Sequence, residues 1–161
     1  MYIFASNGYE NMKILGLVAS LLFSFSLLQA QPMAPVEWSF SAQKVADKEY
    51  DLVFTADIDP GWYIYSQKAN EDGPIPTSFY YNADPGFQPV GIPTEEGDKK
   101  EGMDDMFGIH LIKYGKKAVF KQRVMLTDEI KTISGYLEFM CCNDKQCLPP
   151  KSVDFAFDFD K

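Results

Sequence analysis

From Val36 onward, apolar and polar residues alternate with a period of two. Val36, Trp38 and Phe40 alternate with Glu37, Ser39 and Ser41, and Leu52, Phe54 and Ala56 share one face of Tyr50 to Ile58. Val153, Phe155, Phe157 and Phe159 alternate with Asp154, Ala156 and Asp158. Such a period sends successive side chains to opposite faces of a β-strand. Shorter β-forming runs follow the same logic at Trp62 to Ser66, Thr77 to Tyr81, Phe87 to Ile92, Ile109 to Tyr114, Ala118 to Leu126 and Ser134 to Cys142. Turn residues separate them: Asp59-Pro60-Gly61, Asp84-Pro85-Gly86, Tyr114-Gly115-Lys116 and the stiff Gly73-Pro74-Ile75-Pro76. No long helical period is present. About nine short strands with frequent turns predict an all-β, two-sheet antiparallel sandwich. The 15% aromatic content fits such a core. No internal repeat, low-complexity tract or second domain interrupts the pattern.

The stretch before Val36 is different. Lys13 precedes an apolar run from Ile14 to Leu28, and Leu28-Gln29-Ala30 forms a cleavage site ahead of Gln31. This reads as a signal peptide over residues 1–30, with Met12 as an alternative start. The run is about 15 residues and carries serines, short for a membrane span. Cleavage leaves residues 31–161, one domain's length, with no membrane insertion of the mature chain. The net charge of −8 argues against nucleic acid and anionic membrane as partners. Export places the cysteines in an oxidising compartment.

All three cysteines fall in one decapeptide, Cys141-Cys142-Asn143-Asp144-Lys145-Gln146-Cys147-Leu148-Pro149-Pro150. Three is odd, so pairing leaves one thiol over. A bridge from Cys142 to Cys147 would close a loop of about 6 residues and contribute roughly 2 kcal/mol by chain entropy, against about 4.7 for a 100-residue loop. A short-range pair next to two prolines suits opening and closing as well as it suits a staple. Tyr63 and Tyr65 fall on one face of their strand, with Trp62 and Ile64 on the other. They either line a site or pack as ordinary sheet residues. Glu101 to Gly108 is an acidic loop ending in Phe107-Gly108, suited to a lid with Phe107 as its covering side chain. Met103, Met106 and His110 invite a Cu(I) reading, because thioethers are soft ligands. Their linear spacing matches no metal site, so no metal and no cofactor are expected. His110 has no local support as the base of a cysteine hydrolase, and there is no Cys-x-x-Cys.

Four stretches together carry a resemblance: Gly61-Trp62-Tyr63-Ile64-Tyr65-Ser66-Gln67, Gly73-Pro74-Ile75-Pro76-Thr77-Ser78-Phe79, Asp105-Met106-Phe107-Gly108, and Cys142 through Pro150. The chain resembles the N-terminal periplasmic domain of the thiol-disulfide reductase DsbD, over about Val36 to Phe157. The resemblance implies an immunoglobulin-like β-sandwich in the periplasm whose cysteine pair cycles between dithiol and disulfide. Electrons would come from a membrane-embedded thiol reductase and pass to thioredoxin-like periplasmic proteins. Cys147 would be one member of the catalytic pair. The other is Cys142 if the spacing is four residues, or Cys141 if it is five, and we take Cys142. Phe107 resembles the family's capping phenylalanine, Asp105 lies near its acidic cap residue, and Tyr63 and Tyr65 resemble aromatics lining the site. This chain lacks the reductase's membrane and thioredoxin-like parts, so its donor would be a separate protein. The competing function is a secreted binding module whose bridge is a structural staple. A periplasmic Cu(I) carrier using Met103, Met106, His110 and the cysteines is the third.

Overall fold

Alternation carries the chain into nine strands in the computed structural model, which describes residues 33–68, 72–82, 84–127 and 130–159. The expected signal peptide and Met12 lie outside the described residues. Among the described residues there is no helix.

The larger sheet holds β1 (Val36–Ala46), β2 (Glu49–Ile58), β3 (Tyr63–Tyr65), β5 (Phe87–Asp104), β6 (Ile109–Leu126) and β8 (Cys141–Cys142). Its order is β1-β2-β6-β3-β8, with β5 pairing β6. β5 follows β6 along one edge, while β2 and then β3 share the other, all antiparallel. The smaller sheet is β4 (Ser78–Tyr81), β7 (Thr132–Phe139) and β9 (Lys151–Asp158), ordered β4-β7-β9. This is an immunoglobulin-like antiparallel sandwich.

The alternating apolar residues meet between the sheets. Phe54, fully buried on β2, packs against Phe79 on β4 at 4.5 Å and Phe155 on β9 at 5.0 Å between ring centroids. Phe120 on β6 reaches Phe79 at 5.4 Å. Leu52, Val124 and Leu137 fill the spaces around these rings. Edge-to-face and tilted aromatic pairs add to what burial of the rings already contributes.

Two elements differ from the sequence reading, and both shape the site. Tyr114-Gly115-Lys116 is not a turn. β6 runs straight through it, with Tyr114 paired to Lys99 on one side and Ile64 on the other. The irregularity is absorbed as a bulge, where the β5–β6 register shifts between Gly97 and Asp98. Gly97 sits at φ 147°, and a Cβ there would lie 2.2 Å from the Lys117 carbonyl oxygen. Pairing on both edges outweighs the local turn preference. β5 consequently continues to Asp104, and only residues 105–108 form the hairpin's end.

The second difference is at the expected strand Ser134 to Cys142. It divides at Met140: β7 ends at Phe139 in the smaller sheet, and Cys141–Cys142 pairs with β3 in the larger one. The chain changes sheets immediately before the cysteines.

Candidate functional site

The sheet change decides what each adjacent cysteine faces. Across β8 and β3, Cys142 lies opposite Tyr63 and Cys141 opposite Ile64. Directly opposed residues share a face. Cys141 and Ile64 therefore point into the main core, and Cys141 is a free, buried thiol within it. Burial pushes that thiol up to about 12, against an opposing backbone hydrogen bond at Tyr63. Cys142 points the other way, into a small separate cluster with Tyr65 and Leu111.

Cys142 is disulfide-bonded to Cys147, with Cα atoms 4.0 Å apart across an isolated antiparallel bridge. Asn143 shapes the intervening loop. Its side-chain oxygen accepts from the N–H groups of Lys145 and Gln146, at 2.9 Å each, and its own N–H donates to the Gln146 carbonyl at 2.9 Å. Leu148 N–H then donates to the Cys141 carbonyl at 2.9 Å. The prolines that follow cannot extend this pairing. Cys142 is 2% exposed, while Cys147 is only half-buried. The two sulfurs are unequally open to an incoming group.

The end of the β5–β6 hairpin forms a cap over the bridge. Asp104 is buried and organises it. One carboxylate oxygen accepts from the N–H groups of Met106 (3.0 Å) and Phe107 (3.3 Å), and the other from Lys113 Nζ (2.7 Å). Gly108 N–H donates to the Asp104 carbonyl at 2.8 Å. Burial opposes the Asp104 charge, but the Lys113 ammonium and the two N–H groups outweigh it and hold the carboxyl below its usual range. Phe107 is half-buried and packs edge-to-face on Tyr65, with ring centroids 5.8 Å apart. Phe107 also packs on the cluster that holds Cys142, and Met106 lies against the other sulfur, its Sδ 3.2 Å from Cys147 Sγ. Neither sulfur carries a proton in the bridged state, so this is a close packing contact.

Beside the bridge lies a cavity of about 230 Å³ lined by Tyr63, Tyr65, Cys142, Met103, Asp104 and Asp105, among others. Tyr63 forms its wall. Lys100 Nζ donates to the Tyr63 hydroxyl at 2.6 Å, and Lys113 Nζ sits 4.7 Å from the ring centroid. The ring packs over Gly115, where a Cβ would come within 3.0 Å of it. Tyr65 is almost fully buried, and burial, then Asp104, raise its phenol above the usual value.

Cys142, Cys147, Tyr63, Tyr65, Phe107 and Asp105 all lie at this site, whereas Cys141 lies in the main core. Asp105 lines the cavity but is exposed, and the neighbouring Asp104 is the buried carboxylate. Sequence reasoning missed Asp104, Lys113 and Asn143. Asp104 had a local signal, since Asp followed by a short turn commonly accepts backbone N–H groups. Lys113 had none: it stands opposite Lys100 in the hairpin register, and only its long side chain reaches the Asp104 carboxylate. His110 pairs with Met103 across the hairpin and is exposed.

Comparison with known proteins agrees with the fold. The chain aligns over 81% of its length with the N-terminal periplasmic domain of ScsB from Proteus mirabilis, at 17% identity and TM-score 0.59. It spans about half of that domain, 49%. It aligns over 76% of its length, and 86% of the other chain, with the reduced DsbD N-terminal domain of Neisseria meningitidis, at 19% identity and TM-score 0.50. These likenesses concern the fold. No curated protein matches the chain in sequence. The model of the family described as "Thiol:disulfide interchange protein DsbD, N-terminal" matches residues 29–158. The chain, with its capped cysteine pair on a β-sandwich, belongs to the family of DsbD N-terminal domains.

Proposed function

We propose that this domain relays electrons in the periplasm, from a membrane-embedded thiol reductase to thioredoxin-like proteins, by cycling Cys142 and Cys147 between disulfide and dithiol. The observation that carries this reading is the bridge itself: a short-range pair on its own small cluster, outside the main core, under a hairpin cap. Opening it disturbs the cap and Tyr65 without disturbing the aromatic core.

The chemistry follows from the unequal exposure. A partner thiolate attacks the more open sulfur, Cys147 Sγ, in line with the S–S bond. That bond breaks, Cys142 leaves as a thiolate and takes up a proton, and a mixed disulfide joins Cys147 to the partner. The partner's second thiolate attacks its own bridged sulfur, and Cys147 leaves and is protonated. Two electrons and two protons have then entered this domain. Delivery to a client disulfide is the same sequence reversed, with Cys147 as the attacking thiolate. Met106 must move for either step, since its sulfur lies against Cys147. The cap thereby limits exchange to partners that displace it. Asp104, Asp105 and Asp144 around the cavity oppose thiolate formation, which further favours a docked partner over free thiols.

A redox titration in graded thiol–disulfide buffers, with alkylation and mass-spectrometric mapping, tests this. The expected result is a Cys142–Cys147 pair titrating at roughly −120 to −270 mV, as exchange proteins do. A bridge still closed below about −300 mV would make it a structural staple and leave the binding module as the reading.

A further inference from the structure

The tertiary structure brings together sulfurs that are far apart in sequence. Met106 Sδ touches Cys147 Sγ, Cys147 is bonded to Cys142, and Cys142, Met103 and Met106 line one cavity. Three carboxylates, Asp104, Asp105 and Asp144, and one ammonium, Lys113, line the same cavity; Lys113 pairs with Asp104, which leaves Asp105 and Asp144 as the net charge facing an incoming cation. Met103 and Met106 are both exposed enough for an ion to reach them.

We propose that the reduced site binds one Cu(I) ion through Cys142, Cys147 and Met106. The inference rests on the exchange reading only in requiring that the pair can be reduced. Two thiolates and a thioether are the soft donors that select monovalent copper. On binding, the two S–H bonds break, two Cu–S bonds form and two protons are released. The neutral Met106 thioether donates a third electron pair, and no electron is transferred. The ligands are already adjacent, so little ordering is needed to assemble the site. No group of three His, Cys, Asp or Glu side chains among the described residues converges as a metal site. A bound Cu(I) occupies both thiols, so it blocks exchange until a stronger copper acceptor removes it.

The full chain, reduced and freed of reductant under anaerobic conditions, is titrated with Cu(I) against a chromogenic Cu(I) chelator. Free thiols are counted in parallel. The reduced protein is expected to withhold one equivalent of copper, and the disulfide form none. Met106→Leu keeps the size and apolarity of the side chain. It is expected to weaken retention by at least about tenfold, the lower end of what losing even an outer-shell partner costs a metal site. X-ray absorption at the copper edge should count three sulfurs in the wild type and two in the variant. Equal retention and equal sulfur counts in the two proteins overturn the proposal. So does a reduced protein with two titratable site thiols that withholds no copper, an outcome that leaves the exchange reading intact. A pair that refuses reduction overturns both.

Discussion

Cys141 and Cys142 are neighbours in the chain and equally buried, but they face opposite ways and only Cys142 is bridged. Strand alternation turns one into the aromatic core and the other toward the cap. A thiol reacts as its thiolate, and burial pushes the Cys141 thiol up to about 12. In the reduced protein at pH 8, iodoacetamide is therefore expected to modify Cys147 first. Cys141 should react only after denaturant is added. Peptide mapping of a timed alkylation checks this, and early labelling of Cys141 would contradict the placement of its side chain. Met106 is the other residue whose position changes the chemistry. Phe107 of Asp105-Met106-Phe107-Gly108 packs on Tyr65 and the cluster around Cys142, and the methionine beside it meets Cys147. Adjacent residues in a tight turn diverge, and nothing in a linear pattern says which of two apolar side chains points down.

The β5–β6 hairpin is a cap because its end is tied. Asp104 joins the turn's backbone to Lys113, nine residues further on. Asp104→Asn keeps the side chain's shape but removes the charge that Lys113 pairs with. A lost partner in a partly buried charged hydrogen bond costs about 1–3 kcal/mol. The loss falls on the cap, so reduction of the bridge by dithiothreitol should speed up several-fold. Stopped-flow fluorescence or timed alkylation measures it, and an unchanged rate would mean that the clasp does not govern access. The hairpin is also where sequence reasoning fell shortest. Residues 93–100 show no strong alternation, because β5 is an edge strand whose side chains are largely exposed. The turn-like Tyr114-Gly115-Lys116 became a bulge under pairing from both sides.

At the scale of the whole molecule, the aromatic core and the site are separate bodies of packing. Phe54 touches Phe79, Phe155 and Phe157 across the two sheets and lies outside the disulfide's cluster. Phe54→Ala is expected to cost about 3–5 kcal/mol by urea denaturation. The midpoint potential of the pair should stay unchanged while the domain remains folded, and a large shift in potential would show that core and site are coupled. Alkali probes both bodies of packing, the main core through Tyr114 and Tyr81 and the site cluster through Tyr65. Burial raises the phenol of Tyr114 from an ordinary 10.0 to about 12, and raises Tyr65 and Tyr81 in the same direction. The unfolded chain gives up these protons first. Stability is thus fully present below pH 10 and falls as pH rises from about 10 toward 12. Parallel urea titrations at pH 8, 10 and 11 should show the midpoint steady and then dropping, and a constant midpoint would contradict burial of the phenols.

The sequence by itself determined that this chain is a β-sandwich, which faces of its strands are apolar, and that its chemistry lies in one cysteine-rich decapeptide. Those features are local: a period of two, turn residues and three cysteines in a row of ten can be read without knowing what lies opposite. Only the tertiary structure decided that Cys142 is bridged while Cys141 faces the main core as a free thiol, that Met106 meets the bridge, and that Asp104 and Lys113 hold the cap. Each of those depends on register. The sheet change at Met140 sets which way each cysteine points, and the register of the β5–β6 hairpin end sets which faces Asp104 and Lys113 occupy. A shift of one residue in either would reverse the assignment. Register is settled by pairing between segments distant in the chain, and that information does not reside in any one stretch of it.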